Sequence, residues 1–359
     1  MSEIFLDDGQ GGKSRALIGA LGDHAEDIMA LAGSDKPLPC VTDEHIWSLH
    51  GSRVADILPL DPIFVPRGED AKNWAQLASV ISAVACQNHP RGRPIISLGG
   101  GAVGDLAGLA AALYRRGTPI IHIPTTLLAQ VDSAVGGKTA IDAEGEKNLV
   151  GAFHAPALVV ADPDFLTTLD ARQMRAGMAE IVKYGAIADA DFFDWIGRHG
   201  RAVLAADPNA CAEAAGRCIR MKAAAVEGDV EDRTGQRALL NFGHTFGHAI
   251  ESIAGLGTVL HGEAVSVGML LAARFSAAAG RCNMETPEQL DALLRHLELP
   301  SRLDHVGLGG QAPALFEPML KNKKNESENV TLILLERIGK AVRVTDMPRR
   351  QLRDFLSAA

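Results

Sequence analysis

Apolar positions along the chain change period near residue 170. Before that point, short apolar runs recur at Leu38 to Thr42, Asp61 to Val65, Pro94 to Leu98, Pro119 to Ile123 and Ala157 to Val160. Stretches with helical spacing separate them, one running through Cys86 and another from Leu106 to Leu113. Brief apolar runs bounded by turn residues and alternating with helices predict β-α units and a parallel sheet. From Ala171 to about Asn322 the spacing is helical almost throughout: Ala171 to Ile187, Asp191 to His199, Pro208 to Glu227, a histidine-bearing segment, and Glu263 to Ala279. The end, Val330 to Leu335 and Ala341 to Val344 around Gly339, reads as a small hairpin. The pattern thus predicts an α/β domain with a mainly parallel sheet over 1–168. An all-α domain over 169–359, ending in that hairpin, follows it. Residues 1–35 say less: a polar start through Gly9-Gln10-Gly11-Gly12, then helical spacing from Ala16 to Leu31.

Two glycine-rich stretches in the first domain carry candidate chemistry. The strand ending at Leu98 runs into Gly99-Gly100-Gly101-Ala102-Val103-Gly104-Asp105, which fits Gly-x-Gly-x-x-Gly ahead of a helix. Backbone N–H groups at such a helix start can meet a pyrophosphate. The following strand ends in Pro124-Thr125-Thr126 with no acid for a ribose, so a dinucleotide here implies a non-standard fingerprint. Asp43, at the end of the run from Leu38, can take a ribose diol or cap the next helix. Gly136-Gly137-Lys138 resembles a phosphate cradle, and equally a surface loop with a solvated lysine.

In the second domain the chain reads Asn241-Phe242-Gly243-His244-Thr245-Phe246-Gly247-His248, and His261-Gly262-Glu263 follows a break at Gly255 to Gly257. His244 and His248 share one helical face, and the break lets His261 fold back toward them. Neutral imidazoles suit zinc and similar metals, and a catalytic site needs three protein ligands and an open position. The metalloprotease Glu is absent from this helix. The best carboxylate candidate is Glu180, which sits with Lys183 in the apolar run Ala176 to Gly185, where charges need pairing or a metal.

Composition narrows the classes. The 359 residues allow two cores, and 47% hydrophobic content marks an ordered globular chain. A net charge of −9 argues against a nucleic-acid surface, so an anionic ligand needs a local cluster of bases. Five cysteines without a Cys-x-x-Cys pair argue against a disulfide framework and thiolate zinc. There is no membrane-length apolar run and no signal-peptide pattern, which predicts a cytoplasmic protein.

These motifs, collinear from about Val41 to Gly339, resemble the 3-dehydroquinate synthase family of sugar-phosphate cyclases. They are Ser97 to Asp105, Ile123 to Ser133, Gly136-Gly137-Lys138, Ala179 to Gly185, Asn241 to Glu251 and His261-Gly262-Glu263. The resemblance implies an NAD-binding α/β domain followed by an α-helical metal domain. It also implies conversion of 3-deoxy-D-arabino-heptulosonate 7-phosphate to 3-dehydroquinate and phosphate, a step of the shikimate pathway to aromatic amino acids. NAD is then used catalytically and one divalent metal, Zn²⁺ or Co²⁺, assists. The metal ligands implied are Glu180, His244 and His261, which moves His248 from metal to substrate. Asp132, Lys138, Lys183, Lys222, Arg237, Asn241 and His248 would line the substrate site. Lys147, Asn148 and Lys324 would serve the phosphate, and Arg116 would reach the phosphate of a second subunit in a homodimer. The NAD contacts implied are Asp43, Glu69, Lys72, Gly100, Gly101, Ala102 and Asp105, then Thr125, Thr126, Lys138, Lys147, Phe165 and Thr168. Two departures stand out: Glu146 replaces the usual Gly before Lys147-Asn148, and Asn322-Lys323-Lys324 replaces Asp-Lys-Lys. The alternatives are a cyclase for a sedoheptulose-type substrate, a metal-dependent polyol-phosphate dehydrogenase, and a silent metal- and nucleotide-binding protein.

Overall fold

β1 (Ser2–Asp7) and β2 (Lys13–Ile18) open the chain as an antiparallel hairpin. In the computed structural model, residues 2–9, 12–228, 237–255, 257–321 and 329–358 are described. After α1 (Ala25–Ala32) come β3 (Leu38–Thr42), α2 (Glu44–Ala55), β4 (Leu60–Phe64) and α3 (Trp74–Cys86). Next are β5 (Ile95–Gly99), α4 (Gly101–Leu113), β6 (Ile120–Pro124), β7 (Lys138–Ala143), β8 (Glu146–Phe153) and β9 (Leu158–Ala161). Three helices follow: α5 (Ala171–Ala188), α6 (Ala190–Leu204) and α7 (Pro208–Val226). The chain ends with α8 (His244–Ala254), α9 (His261–Ala278), α10 (Glu285–His296), α11 (Phe316–Lys321), β10 (Asn329–Arg337), β11 (Lys340–Pro348) and α12 (Arg349–Ala358).

By contacts the chain forms two units, Met1–Asp170 with Ala206–Arg233, and Ala171–Ala205 with Thr234–Ala359. The first therefore takes back α7, which lies within the stretch of helical spacing: Ile219 packs with Ile4, Ile18, Val159 and Ala161. Among the described residues seven strands form one sheet in the order β1-β2-β9-β6-β5-β3-β4, parallel except for the β1–β2 pair. Side chains alternate across it. Ile95 joins the core made by α3 and α4, whereas Ile96 and Leu98 join the core containing Ile28, Val54 and Phe165. Burial on both faces explains why the strands read as continuous apolar runs.

Two segments differ from the sequence reading. Ala16, Leu17 and Ile18, expected to begin a helix, lie in β2 and pair with β9. The helix starts only at Ala25, since so short an apolar run fits either periodicity. The glycine-rich stretch near Lys138 leads into an antiparallel hairpin, β7–β8, with a bulge between Ile141 and Ala143.

In the second unit, glycines bring three helices close. A Cβ on Gly247 of α8 would lie 3.3 Å from Ala264 and Val265 of α9. One on Gly262 of α9 would stand 2.5 Å from the Cα and carbonyl carbon of Ala176 on α5. The β10–β11 hairpin docks through Gly339, whose N–H donates to the Ala186 carbonyl at 2.9 Å, with a φ of 78° that suits glycine.

Candidate active site

In the first unit, β5 ends at Gly99 and α4 begins at Gly101 with Gly100 as its N-cap. Side chains are excluded here: a Cβ on Gly100 would come within 3.0 Å of Thr126, and one on Gly101 within 2.9 Å of the Ser133 hydroxyl. Bare backbone at a helix start is what a pyrophosphate needs, so these residues fit a dinucleotide. Beside the turn is a cavity of about 10 Å³, room for roughly one water, lined by Ser97, Asp105, His122, Ser133 and Lys138 among others. Ser97 Oγ is 2.6 Å from His122 Nδ1. Burial, with His154 nearby, pushes the pKa of His122 down to about 4. The Thr125 hydroxyl, just after β6, is buried and has no hydrogen-bond partner among the described residues.

Lys72 organises the adjoining polar group. Its ammonium donates to Asp105 Oδ2 at 2.8 Å and contacts the Asn148 amide oxygen, with Glu69 at 3.8 Å. Burial disfavours this cation, yet Asp105 and Glu69 outweigh it and hold its pKa above the ordinary lysine value. Asn148, left-handed at φ 55°, donates its N–H to Asp142 Oδ1 at 2.8 Å, and the Asp142 N–H donates to the Lys72 carbonyl at 2.9 Å. Lys222 of α7 contacts the Asp132 carboxylate and donates to the Asp132 carbonyl at 2.6 Å.

The remaining first-unit residues lie in varied settings. Asp43 caps α2, accepting the Ile46 N–H at 2.9 Å. Phe165 is fully buried, edge-on to His50 at 4.9 Å, so only its main chain can reach a ligand. The Thr168 hydroxyl is 2.9 Å from His50 Nε2. Ala102 and Thr126 are half-buried, and Lys138 and Arg116 are exposed. Arg116 has a left-handed φ of 63°, and its carbonyl accepts from Arg91 at 3.3 Å. Lys147 is half-buried on β8.

In the second unit, Glu180, His244 and His261 each offer a ligand atom, all within 4.8 Å of one another. Glu180 lies mid-α5, while His244 and His261 are the first residues of α8 and α9. His244 Nδ1 donates to the Phe242 carbonyl at 3.2 Å, which turns Nε2 to Glu180 Oε1 at 3.7 Å. Burial, then Lys183, push the pKa of His244 down to about 3, leaving it a neutral imidazole. His261 Nε2 is 3.5 Å from Glu180 Oε1, and its Nδ1 is 3.2 Å from Glu251 Oε2. Burial opposes charge on His261, but Glu180 and Glu251 together raise its pKa to about 10. Positive charge thus gathers on Lys183 and His261 around a carboxylate that is only 1% exposed. A divalent cation can take over that role with release of a proton, so the donor set fits a metal. Arg237, buried, and Asn241, exposed, lie at the two ends of one 3-10 turn. His248 is exposed, its ring centroid 5.6 Å from that of His244.

The 3-dehydroquinate synthase N-terminal model matches residues 62–176, and the C-terminal model matches 177–325. The chain belongs to the 3-dehydroquinate synthase family. It is 45% identical over 345 residues to the 3-dehydroquinate synthase of Caulobacter vibrioides, covering 94% of this chain and 93% of that one. Among solved structures it resembles a 2-epi-5-epi-valiolone synthase from Streptomyces hygroscopicus with NAD⁺ and Zn²⁺ bound. The TM-score is 0.86 at 28% identity, over 97% of each chain. A 2-deoxy-scyllo-inosose synthase at 23% identity, with a TM-score of 0.87 over 100% of each chain, shares the fold.

Of the residues singled out in the sequence, Glu180, His244 and His261 come together in the second unit, and Lys72, Asp105 and Asn148 in the first. Lys324, like Asn322 and Lys323, lies outside the described residues. Among the described residues no disulfide joins any of the cysteines. Among the described residues no helix is long and apolar enough to cross a membrane. Three residues escaped the sequence reading: Glu251, which bonds a candidate ligand, Asp142, which fixes Asn148, and His122. Glu251 was legible only as a residue of the His244 helix, seven positions on and hence on the same face.

Proposed function

We propose that this chain is a 3-dehydroquinate synthase, converting 3-deoxy-D-arabino-heptulosonate 7-phosphate to 3-dehydroquinate and inorganic phosphate. The observation that carries the reading is the convergence of Glu180, His244 and His261 beside Lys183. It occurs in a chain 45% identical over nearly its whole length to a protein of that name. Gly100, Gly101, Ala102 and Asp105 hold NAD with Lys72 and Glu69, and Asp43, Thr125, Thr126 and the Phe165–Thr168 segment complete that site. Glu180, His244 and His261 hold one divalent metal, zinc or cobalt. When bound, these groups supply a reversible hydride acceptor and a Lewis acid for the oxidised hydroxyl.

The chain's own residues do the rest. Lys183 keeps an ammonium against Glu180, where it can hold charge next to the reacting centre. Asp132 fixes Lys222 by two contacts, so that this cation is already oriented when an anion arrives. Lys138, Lys147, Asn148 and Lys324 neutralise the phosphate, Asn241 and His248 orient hydroxyls, and Arg237 takes the substrate carboxylate. Arg116 completes the phosphate site of a second copy, which makes the enzyme a homodimer, and the protein works in the cytoplasm.

The identity to synthases exceeds the 28% to the valiolone synthase, so the heptulosonate phosphate is the substrate favoured over a sedoheptulose-type sugar. The test is incubation with the heptulosonate phosphate, zinc and substoichiometric NAD. Phosphate and 3-dehydroquinate should form in equal amounts over many turnovers of NAD, without build-up of reduced cofactor. Stoichiometric reduced cofactor would instead identify a polyol-phosphate dehydrogenase. The dimer is tested by mixing Arg116→Ala chains with Lys183→Ala chains. Activity should return on subunit exchange, and no recovery would place Arg116 outside the partner's site.

A further inference from the structure

Glu251 is a carboxylate only 5% exposed, in an enzyme whose mechanism as proposed gives it no task. It lies on α8 one residue after Ile250, on the side facing the start of α9, and Oε2 stands 3.2 Å from His261 Nδ1. A neutral imidazole has one N–H and one lone pair, and a carboxylate accepts but does not donate. With Nδ1 donating to Glu251, His261 can ligate a metal only through Nε2, the nitrogen on the Glu180 side, 3.5 Å away. His261 needs this support more than His244 does. His244 has the main-chain carbonyl of Phe242 to set its tautomer, whereas the His261 side chain is 34% exposed and follows a glycine-containing break.

We propose that Glu251 is a positioning residue that sets the tautomer and ring angle of His261 for metal binding. The inference rests on the metal site of the proposed function. Glu251 also belongs with His248 and His261 to a second group whose ligand atoms lie within 4.8 Å, so direct ligation by Glu251 is the competing role. The hydrogen-bonded geometry favours positioning, because Glu251 engages the nitrogen that points away from Glu180. Removing such an outer partner lowers metal affinity about 10- to 100-fold.

The experiment measures Zn²⁺ affinity by chelator competition on the full-length protein, the Glu251→Ala variant and the Glu251→Gln variant. Co²⁺-loaded samples give the ligand-field spectrum. Glu251→Ala should bind about 10- to 100-fold more weakly. Glu251→Gln, whose amide oxygen can still accept from Nδ1, should fall between it and the parent. All three should share one Co²⁺ spectrum, since the inner ligands are unchanged. Equal affinity in all three overturns the inference. So does a changed Co²⁺ spectrum in both variants, which would make Glu251 a ligand. Should Glu251→Ala fail to fold, the Gln variant decides alone, and parental affinity in it overturns the proposal. Failure of the parent itself to bind zinc defeats the underlying metal site, an outcome separate from these.

Discussion

Lys183 and Glu180 stand one helical turn apart on α5, each 1% exposed, with the ammonium in contact with the carboxylate. A buried pair is strongly destabilised when one member is removed, because the other remains as an uncompensated charge. Lys183→Met keeps the bulk and removes the charge, so in chelator it should lower stability by about 3 kcal/mol. A bound divalent cation compensates Glu180 in place of the ammonium. Zinc should therefore restore more stability to the variant than it adds to the parent. Urea unfolding with chelator and with zinc checks this, and an identical zinc increment in both proteins would exclude Glu180 from the metal site.

Gly262 follows His261 and abuts the Ala176 backbone of α5. A Cβ there overlaps the Ala176 carbonyl and comes within 2.5 Å of its Cα. Backbone atoms in a helix cannot swing aside as a side chain does, so α9 must move off α5 and carry His261 with it. Gly262→Ala should cost about 3 kcal/mol or more, at or above the upper end of ordinary overpacking in a core. It should also lower zinc content. Gly280→Ala, at a left-handed glycine with open space around its Cβ position, serves as a comparison and should retain full zinc content. Metal analysis and thermal melts on both variants check the contrast.

Residues such as Ile95, Ile96 and Leu98 show why the parallel sheet could be read from sequence. Each face of β5 has its own core, so Ile95, Ile96 and Leu98 are all apolar, and Ser97 interrupts the run only because its hydroxyl meets His122. The metal cluster was legible in part. Glu180, His244, His248 and His261 are all legible as candidates, yet it takes the orientation of α5 and α9 to group His244 with Glu180 and His261, and His248 with Glu251 and His261. Helical periodicity reports which face a residue lies on, not which neighbour that face meets. For the same reason α7 read as part of a helical domain, although Ile219 is committed to the core behind β2 and β9. Asp142 gave no signal, because its bond to the Asn148 N–H depends on the bulged β7–β8 hairpin and a left-handed Asn148.

His122 supplies a pH dependence confined to the first unit. Burial first, then His154, lower its pKa to about 4 from 6.5. Between these values the unfolded chain takes up a proton that the folded chain does not. Stability must therefore fall as pH drops from about 6.5 to about 4, and this contribution levels off below that. At pH 7 and above it is absent. The full loss is on the order of 3 kcal/mol. His122→Gln has no such proton to bind, so its unfolding free energy should decline less over this interval. Denaturant titrations at several pH values compare the two slopes, and parallel slopes would show that His122 is protonated alike in both states.

The choice between the heptulosonate and a sedoheptulose-type sugar turns on C1, a carboxylate in the first and a hydroxymethyl group in the second. Arg237 is 3% exposed and lies one turn before Asn241, in the unit that holds Glu180, His244 and His261. A guanidinium pairs with a carboxylate through two parallel hydrogen bonds, an arrangement no hydroxymethyl group reproduces. Loss of one partner of a buried charged pair costs on the order of 3–5 kcal/mol, which corresponds to a loss in kcat/KM of roughly 10²- to 10³-fold or more. Arg237→Ala should show that loss on the acid. Its zinc content and NAD binding should match the parent, because Arg237 is not among the candidate metal ligands and NAD is assigned to the first unit. The parent should prefer the acid over its C1-hydroxymethyl analogue by a similar factor, and the variant should lose most of that preference. Steady-state phosphate release on both substrates measures all four constants. Equal constants for the two substrates in the parent would transfer the enzyme to the sugar-phosphate cyclases that act on uncharged C1. A variant that keeps the preference would move the carboxylate contact to another cation.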